Sequence, residues 1–290
     1  MVIEVTYMSG AGNLFSVIDN RQYNFSVQTL QKLASVLCSE NEFNFKYTEG
    51  LIAINSGTNN LVFRAEFVNP DGSYGVMCGN GGRCAVGFAY QAGLRSEIDE
   101  MIKFSMAGNI YTGIFHSSES VELFFPPPVE IRRNVILDVD NREFIVDFVN
   151  VGSEHIIINF EKIEEFEGID FRKFDINLFA RPIRHHDLLI PRGANVNIYK
   201  LVDNVVQLRT YERGVEAETG ACGTGAISTA LIISESHNIA KPMRIIPPSG
   251  EELKVDIIKD KKNNTESVIL AGNASITDKK EINLPDTLLN

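Results

Sequence analysis

Apolar and polar positions alternate along much of this chain with the period of two that a half-buried strand requires. Met1 to Tyr7 (MVIEVTY) opens in this way and reads as a first strand, not as a secretion leader. Runs of β-branched and aromatic residues at Leu61–Val68, Val121–Phe125, Phe144–Val149, Glu154–Phe160, Val196–Leu201 and Val205–Tyr211 predict further strands. Helical spacing is confined to Thr29–Ser39 and to the segments that follow two Gly-rich stretches.

Those two stretches repeat one another. Cys78-Gly79-Asn80-Gly81-Gly82 and Cys222-Gly223-Thr224-Gly225-Ala226 both read as a cysteine and glycines opening an apolar helix, about half the chain apart. A duplicated domain is the simplest account. Pro126-Pro127-Pro128 offers no ladder donors and stiffens the chain, so the boundary is placed there. The expected fold is α+β, with two pseudo-symmetric domains, 1–126 and 127–275, each a mostly antiparallel curled sheet around a central helix. A cleft is expected between them, and 276–290 is a candidate to rejoin the first half. Pro247-Pro248-Ser249-Gly250 reads as a turn, Lys259–Asn264 as a hairpin tip, and the residues after Lys280 as frayed or an edge.

Charge narrows the partners. Lys and Arg number 27 against 38 Asp and Glu, a net charge of −11, and no basic cluster could neutralise a run of phosphates. Nucleic acid is therefore excluded as an expected partner. No apolar run reaches the roughly 18 residues that would span a bilayer, so the expectation is a soluble, cytoplasmic protein with no membrane partner. Four cysteines, Cys38, Cys78, Cys84 and Cys222, are too scattered for a disulfide framework, which leaves packing, metal or catalysis. Closely spaced cysteine pairs, His-Glu-x-x-His and Walker-type loops are all missing from the sequence, so no metal is expected. Gly10-Ala11-Gly12 begins like a dinucleotide fingerprint but lacks the third glycine and a following helix. His185-His186-Asp187 reads as surface, because Arg181, Arg184 and Arg192 would repel a cation.

A cysteine just ahead of a helix sits where free N–H groups and the positive helix end stabilise a thiolate. Glycines let a ligand reach the backbone itself. A carboxylate could rest on the amides of Gly79, Asn80 and Gly81 and of Gly223, Thr224 and Gly225. With its Cα between two sulfurs, one thiolate could remove the α-proton while one thiol protonates the opposite face, the pair titrating as a unit. Cys38, in a helical pattern, and Cys84 are assigned to packing.

Met8-Ser9-Gly10-Ala11-Gly12-Asn13-Leu14-Phe15, Phe67-Val68-Asn69-Pro70-Asp71-Gly72-Ser73, Cys78 to Cys84, and Glu212-Arg213-Gly214 through Ala221-Cys222-Gly223-Thr224-Gly225 together resemble the diaminopimelate epimerase family in order and spacing. The resemblance implies a pyridoxal-free, cofactor-independent isomerase that interconverts LL- and meso-diaminopimelate in lysine and cell-wall synthesis, with Cys78 and Cys222 as the catalytic pair. It implies that Asn13, Gly79, Asn80, Gly223 and Thr224 hold the reacting end of the substrate. Asn69, Asn195, Glu212 and Arg213 would hold or orient the distal end, where a guanidinium can make a bidentate pair. His155, in Val151-Gly152-Ser153-Glu154-His155, is similar to the histidine of the family's Met-Gly-Asn-Pro-His segment. It is either an auxiliary polar group near the reacting carbon or a hydrogen-bonded core residue.

Three positions depart from the family pattern: Ser153 replaces an asparagine, Leu14 replaces an acid, and one extra residue lies between Arg213 and Cys222. An epimerase or racemase of another amino acid is therefore the alternative. Two rivals of other kinds are a cysteine hydrolase with Cys222 as nucleophile and His155 as base, and a non-catalytic carboxylate-binding protein. The oligomeric state is open, a homodimer included.

Overall fold

The computed structural model describes residues 1–41, 46–95, 99–189, 191–236, 239–260, 265–285 and 288. The chain divides into two compact units, Met1–Phe124 with Ala271–Asn290, and Phe125–Leu270.

In the first unit the chain runs β1 (Val2–Gly10), β2 (Asn13–Ile18), α1 (Val27–Leu37), β3 (Leu51–Ser56), β4 (Phe63–Val68), α2 (Gly79–Gln91), β5 (Met101–Met106), β6 (Asn109–Ser117) and β7 (Ser120–Phe125). Strands β1 and β2 form a two-residue hairpin in which Gly10 faces Asn13. Its turn residues Ala11 and Gly12 have φ of 55° and 87°, the sign at both positions that matches the twist of the flanking strands. The near-fingerprint of the sequence is thus a hairpin turn. Helix α1 starts because Ser26 Oγ accepts from Thr29 N at 3.2 Å. It then buries Leu30, Leu33, Ala34 and Leu37 on one face against a core that includes Ile3, Val5 and Tyr7.

Pairing alternates in sign along this unit. β1–β2, β3–β4, β5–β6 and β6–β7 are antiparallel, whereas β2–β3 and β4–β5 are parallel. Parallel neighbours need a long crossover, and α1 and α2 are those crossovers. Helix α2 packs against β1, β2, β3, β4 and β6 and buries every residue from Gly79 to Ala89.

The second unit comprises β8 (Glu130–Val139), β9 (Arg142–Asn150), β10 (Glu154–Asn159), α3 (Ile176–Arg184), β11 (Asn195–Val202), β12 (Val205–Glu212), β13 (Ala217–Glu218), α4 (Gly223–Ser236), β14 (Met243–Ile246), β15 (Leu253–Asp260) and β16 (Thr265–Gly272). β9–β10, β11–β12 and β14–β15 are antiparallel; β10–β11 and β12–β14 are parallel, with α3 and α4 as the crossovers. The order of signs and the helix placement match those of β1–β2–α1–β3–β4–α2–β5–β6. This is the duplication that the two cysteine motifs announce. Each sheet is α+β as expected, but mixed, because the two helices of each unit carry the chain back to the same sheet end.

The last strand, β17 (Ser275–Asn283), pairs antiparallel with β1 from Val2↔Asn283 to Ser9↔Ser275. The residues after Lys280, expected to be frayed or an edge, are paired with β1 through Asn283 and packed through Leu284: Ile282 and Leu284 are buried among Ile3 and Val5, and Leu284 N donates to Met1 O at 2.8 Å. The returning segment is tied in from its start, since Ala11 N donates to Asn273 Oδ1 at 2.6 Å and Ala274 N to Ser118 O at 2.7 Å. β10 stops one residue earlier than its apolar run suggests. Asn159 Oδ1 accepts from Glu161 N at 2.9 Å and opens a short 3-10 turn, which sends Phe160 into an aromatic cluster with Phe166, Phe171 and Phe174. The expected hairpin tip at Lys259–Asn264 falls partly on 261–264, outside the described residues.

Candidate active site

In the first unit the chain leaves β4 through Asn69 and reaches the start of α2 at Cys78. Asn69 to Ser73 close a tight turn: Asn69 N donates to Ser73 O at 2.8 Å and Gly72 N to Asn69 O at 2.9 Å. Asn69 Nδ2 donates to Ser73 Oγ, and Ser73 N and Oγ both donate to Asp71 Oδ1. Those donors hold the Asp71 carboxyl below its ordinary range.

Cys78 is the N-cap of α2, half-buried, with Sγ accepting from Gly81 N at 3.3 Å. Gly82 N donates to Cys78 O at 2.8 Å. The Gly81 amide, expected to help hold a carboxylate, is thus already used by the thiol; the sulfur itself fills the role of a capping oxygen. Asn80 is buried and its Oδ1 accepts from Arg83 Nη2 at 2.9 Å. Gly10 must be glycine because an added Cβ would lie 2.9 Å from Asn80 O and 3.0 Å from Cys84 Sγ. Asn13, also buried, donates through Nδ2 to Glu49 Oε2 at 2.6 Å. The acid missing at Leu14 is matched by this carboxylate from another segment, while Leu14 packs on the unit's core.

Cys38 and Cys84 are both fully buried. Burial pushes each thiol up to about 12, so both stay neutral at physiological pH and act as packing residues.

In the second unit Cys222 stands immediately before α4, and Ala226 N donates to its carbonyl at 2.9 Å. Its Sγ lies 3.6 Å from Thr224 Oγ1. Glu212, at the end of β12, takes hydrogen bonds from Thr219 Oγ1 at 2.9 Å and from the Cys222 thiol. Burial pushes the Glu212 carboxyl above its ordinary value, and these two donors oppose the rise. Gly225 leaves room for Asn197, whose Oδ1 would be only 2.2 Å from an added Cβ.

His155 is completely buried. Asn197 Nδ2, which also donates to Ile156 O at 3.0 Å, donates to His155 Nδ1 at 3.0 Å and so puts the ring proton on Nε2, where it faces Ser153 Oγ at 2.9 Å. Burial, followed by the nearby Arg213 charge, lowers its pKa to about 3 against the hydrogen bond from Asn197. The imidazole is therefore neutral, with both nitrogens committed, which leaves no lone pair for activating Cys222. Ser153, a departure from the family pattern, is the residue that completes this network.

Asn195 accepts from Arg213 N at 2.8 Å and donates to Glu154 O at 3.0 Å. Arg213 Nη1 donates to Glu154 Oε2 at 2.7 Å and to Gly193 O at 3.3 Å. Glu212 faces Cys222 rather than this cluster. Sequence reasoning missed Glu154, Arg83 and Glu49; Glu154 could have been suspected because it is an acid in a segment otherwise matched to the family's proline. His186 Nε2 donates to Asp138 O at 3.0 Å. Among the described residues no group of three His, Cys, Asp or Glu is gathered to hold a metal, and no helix is long and apolar enough to cross a membrane.

Two units of one topology, each entering a buried helix through a cysteine and a glycine, define the fold shared by phenazine-biosynthesis proteins and amino-acid racemases. A phenazine biosynthesis protein of the PhzF family from Bacillus anthracis superposes with a TM-score of 0.72 at 12% identity, covering 98% of this chain and 100% of the other. A probable proline racemase from Agrobacterium radiobacter K84 gives 0.73 at 13% identity, covering 98% and 93%. The family model described as diaminopimelate epimerase matches residues 5–122. Diaminopimelate epimerase of Aquifex aeolicus is 35% identical over 276 residues, 90% of this chain and 92% of that one. The Hydrogenobaculum enzyme of the same name is 36% identical over 271 residues, 89% and 92%. The chain belongs to the diaminopimelate epimerase family.

Proposed function

We propose that the chain is an isomerase that inverts one α-carbon of diaminopimelate, LL to meso and back, with Cys78 and Cys222 as the paired base and acid. One observation carries this reading: both cysteines stand at the entrance to a buried, glycine-opened helix at the same topological place in two matching units. In the forward step a thiolate takes the α-proton from one face, and the other thiol delivers its proton to the opposite face. The negative charge on the enzyme passes from one sulfur to the other. The reverse reaction exchanges the roles.

The α-carbon is a weak acid, so the carbanionic charge delocalised into the substrate carboxylate needs fixed donors. Helix-start amides of the Cys78 and Cys222 motifs, apart from that of Gly81, which donates to the Cys78 sulfur, supply them, with Asn13 and Asn80 beside the reacting end. Asn195 and Arg213 hold the distal end, with Asn69 orienting it. His155 acts through position, because it is neutral and pinned by Ser153 and Asn197. No disulfide joins any of the four cysteines.

Incubating the purified protein with LL-diaminopimelate in heavy water, without pyridoxal phosphate, should yield the meso isomer with deuterium at one Cα. Cys78→Ser and Cys222→Ser should each cut the rate by at least a thousandfold. Retention of near-normal two-way conversion by either variant would overturn the two-thiol reading. Turnover of a different amino acid, with diaminopimelate untouched, would overturn the substrate. The hydrolase reading fares worse on the structure, since both His155 nitrogens are occupied.

A further inference from the structure

Arg83 is the fifth residue of α2 and has no exposed surface. Its guanidinium has three hydrogen bonds: Nη2 to Asn80 Oδ1 at 2.9 Å, Nε to Asn273 O at 3.4 Å and Nη1 to Gly79 O at 3.5 Å. All three acceptors are neutral. Among the described residues no carboxylate makes an ion pair with it. A buried guanidinium lacking an anion is costly, and here it also lies near the positive end of its helix, where a cation is disfavoured.

The surroundings therefore call for negative charge. Among the described residues, the titratable groups that face Arg83 are the thiols of Cys84 and Cys78. Cys84 is fully buried and its thiol is pushed up to about 12, so it cannot supply that charge. Cys78 can: it is half-buried, and its sulfur already accepts from Gly81 N. Cys222 sits in the opposite field, with its thiol donating to the carboxylate of Glu212. Burial raises the Glu212 carboxyl while the Thr219 and Cys222 donors oppose that rise; beside the ionised carboxylate a thiolate would be repelled, and a thiol is retained.

We infer that Arg83 and Glu212 are positioning residues that fix the resting protonation of the pair, with the thiolate on Cys78 and the proton on Cys222. This inference rests on the two-thiol reading above, and it adds the asymmetry that reading leaves open. The free enzyme waits with its base on the α2 side. It therefore takes directly the isomer whose α-proton faces Cys78, and it returns to this state after product leaves by moving the proton back from Cys78 to Cys222; the opposite isomer is taken by the less populated form with the proton on Cys78.

The test is site-resolved alkylation by iodoacetamide as a function of pH, read by tandem mass spectrometry of the Cys78 and Cys222 peptides. The pH midpoint at each site reports its thiolate independently of accessibility. In the wild-type chain the Cys78 midpoint should lie at least one pH unit below that of Cys222. Arg83→Gln should raise the Cys78 midpoint by a unit or more without raising that of Cys222, and Arg83→Lys, which keeps the charge, should move the Cys78 midpoint by less than half a unit. Glu212→Gln should lower the Cys222 midpoint.

A wild-type Cys78 midpoint at or above that of Cys222 overturns the inference with no variant needed. Equal shifts in Arg83→Gln and Arg83→Lys would show a packing role and overturn it as well. Alkylation requires no turnover, so a chain that epimerises nothing fails the proposed function while this assignment is judged on its own.

Discussion

Nη1 of Arg213 donates to Oε2 of Glu154 at 2.7 Å, and the other oxygen of the same carboxylate is held by Arg192 at 2.6 Å. Among the described residues neither Nε nor Nη2 of Arg213 has a partner, so the guanidinium offers a two-donor edge while a fixed acid already balances its charge. A substrate carboxylate reaching that edge competes with Glu154. Glu154→Gln should therefore lower KM for diaminopimelate by roughly threefold to tenfold, about 1 kcal/mol of released competition for a mostly buried pair. Because the distal end is remote from the reacting carbon, kcat should change by less than twofold. Steady-state kinetics with both isomers check this, and a raised KM would show that Glu154 holds Arg213 in place instead.

Gly225 is hemmed in by the network that pins His155. An added Cβ would meet Asn197 Oδ1 at 2.2 Å and Thr210 Oγ1 at 3.2 Å, and neither side chain can retreat without breaking its bonds to His155, Ile156 or each other. Gly225→Ala should destabilise the protein by about 1–3 kcal/mol. Thermal denaturation should show a fall of several degrees, whereas Gly214→Ala, where a Cβ would meet nothing within 4 Å but φ is +90°, should show a smaller loss set by backbone strain alone.

Much of this arrangement was legible in the chain itself. The cysteine–glycine repeat gave both helix starts and the duplication, because a helix entry is a local event written in adjacent residues. Helix α3 was missed. Its signals were present, with Asp175 Oδ1 capping Leu178 N at 3.1 Å and Ile176, Ala180 and Ile183 on one buried face, but Pro182 inside it reads as a breaker. The pairing of β17 with β1 joins opposite ends of the chain, and no local pattern encodes so distant a partner. Arg83 and Glu154 were read past for a related reason: a charge looks like solvated surface until the fold shows what encloses it.

Burial of His155 makes stability depend on pH. Its folded pKa, about 3, lies below the unfolded value of about 6.5. Between these limits the unfolded chain binds a proton that the folded chain does not, so stability is lost as pH falls below about 6.5, at up to roughly 1.4 kcal/mol per pH unit. Moving from pH 7 to pH 5.5 should thus destabilise the wild type relative to His155→Gln by roughly 1 kcal/mol. Urea unfolding of both proteins at the two pH values measures the difference, and parallel behaviour would show that His155 is reachable by protons in the folded state.

Glu212 provides the sharpest kinetic expectation. Its carboxylate accepts from the Cys222 thiol and from Thr219, and burial raises its pKa. Protonation of Glu212, or Glu212→Gln, removes the negative charge that favours the thiol form of Cys222. A smaller share of the enzyme then carries the proton on Cys222 in the direction where it must deliver one, and the thiolate is less basic when it must remove one in the other. The equilibrium between the two substrate isomers is a property of the free substrates, so kcat/KM must fall by the same factor in both directions. A loss of roughly tenfold to a hundredfold is expected for one hydrogen-bonded catalytic partner. The acid limb of the wild-type pH–rate profile should lose, in Glu212→Gln, the contribution of a carboxyl raised above its ordinary value. Wild-type rates in the Gln variant, with an unchanged profile, would reduce the Glu212–Cys222 bond to a structural contact.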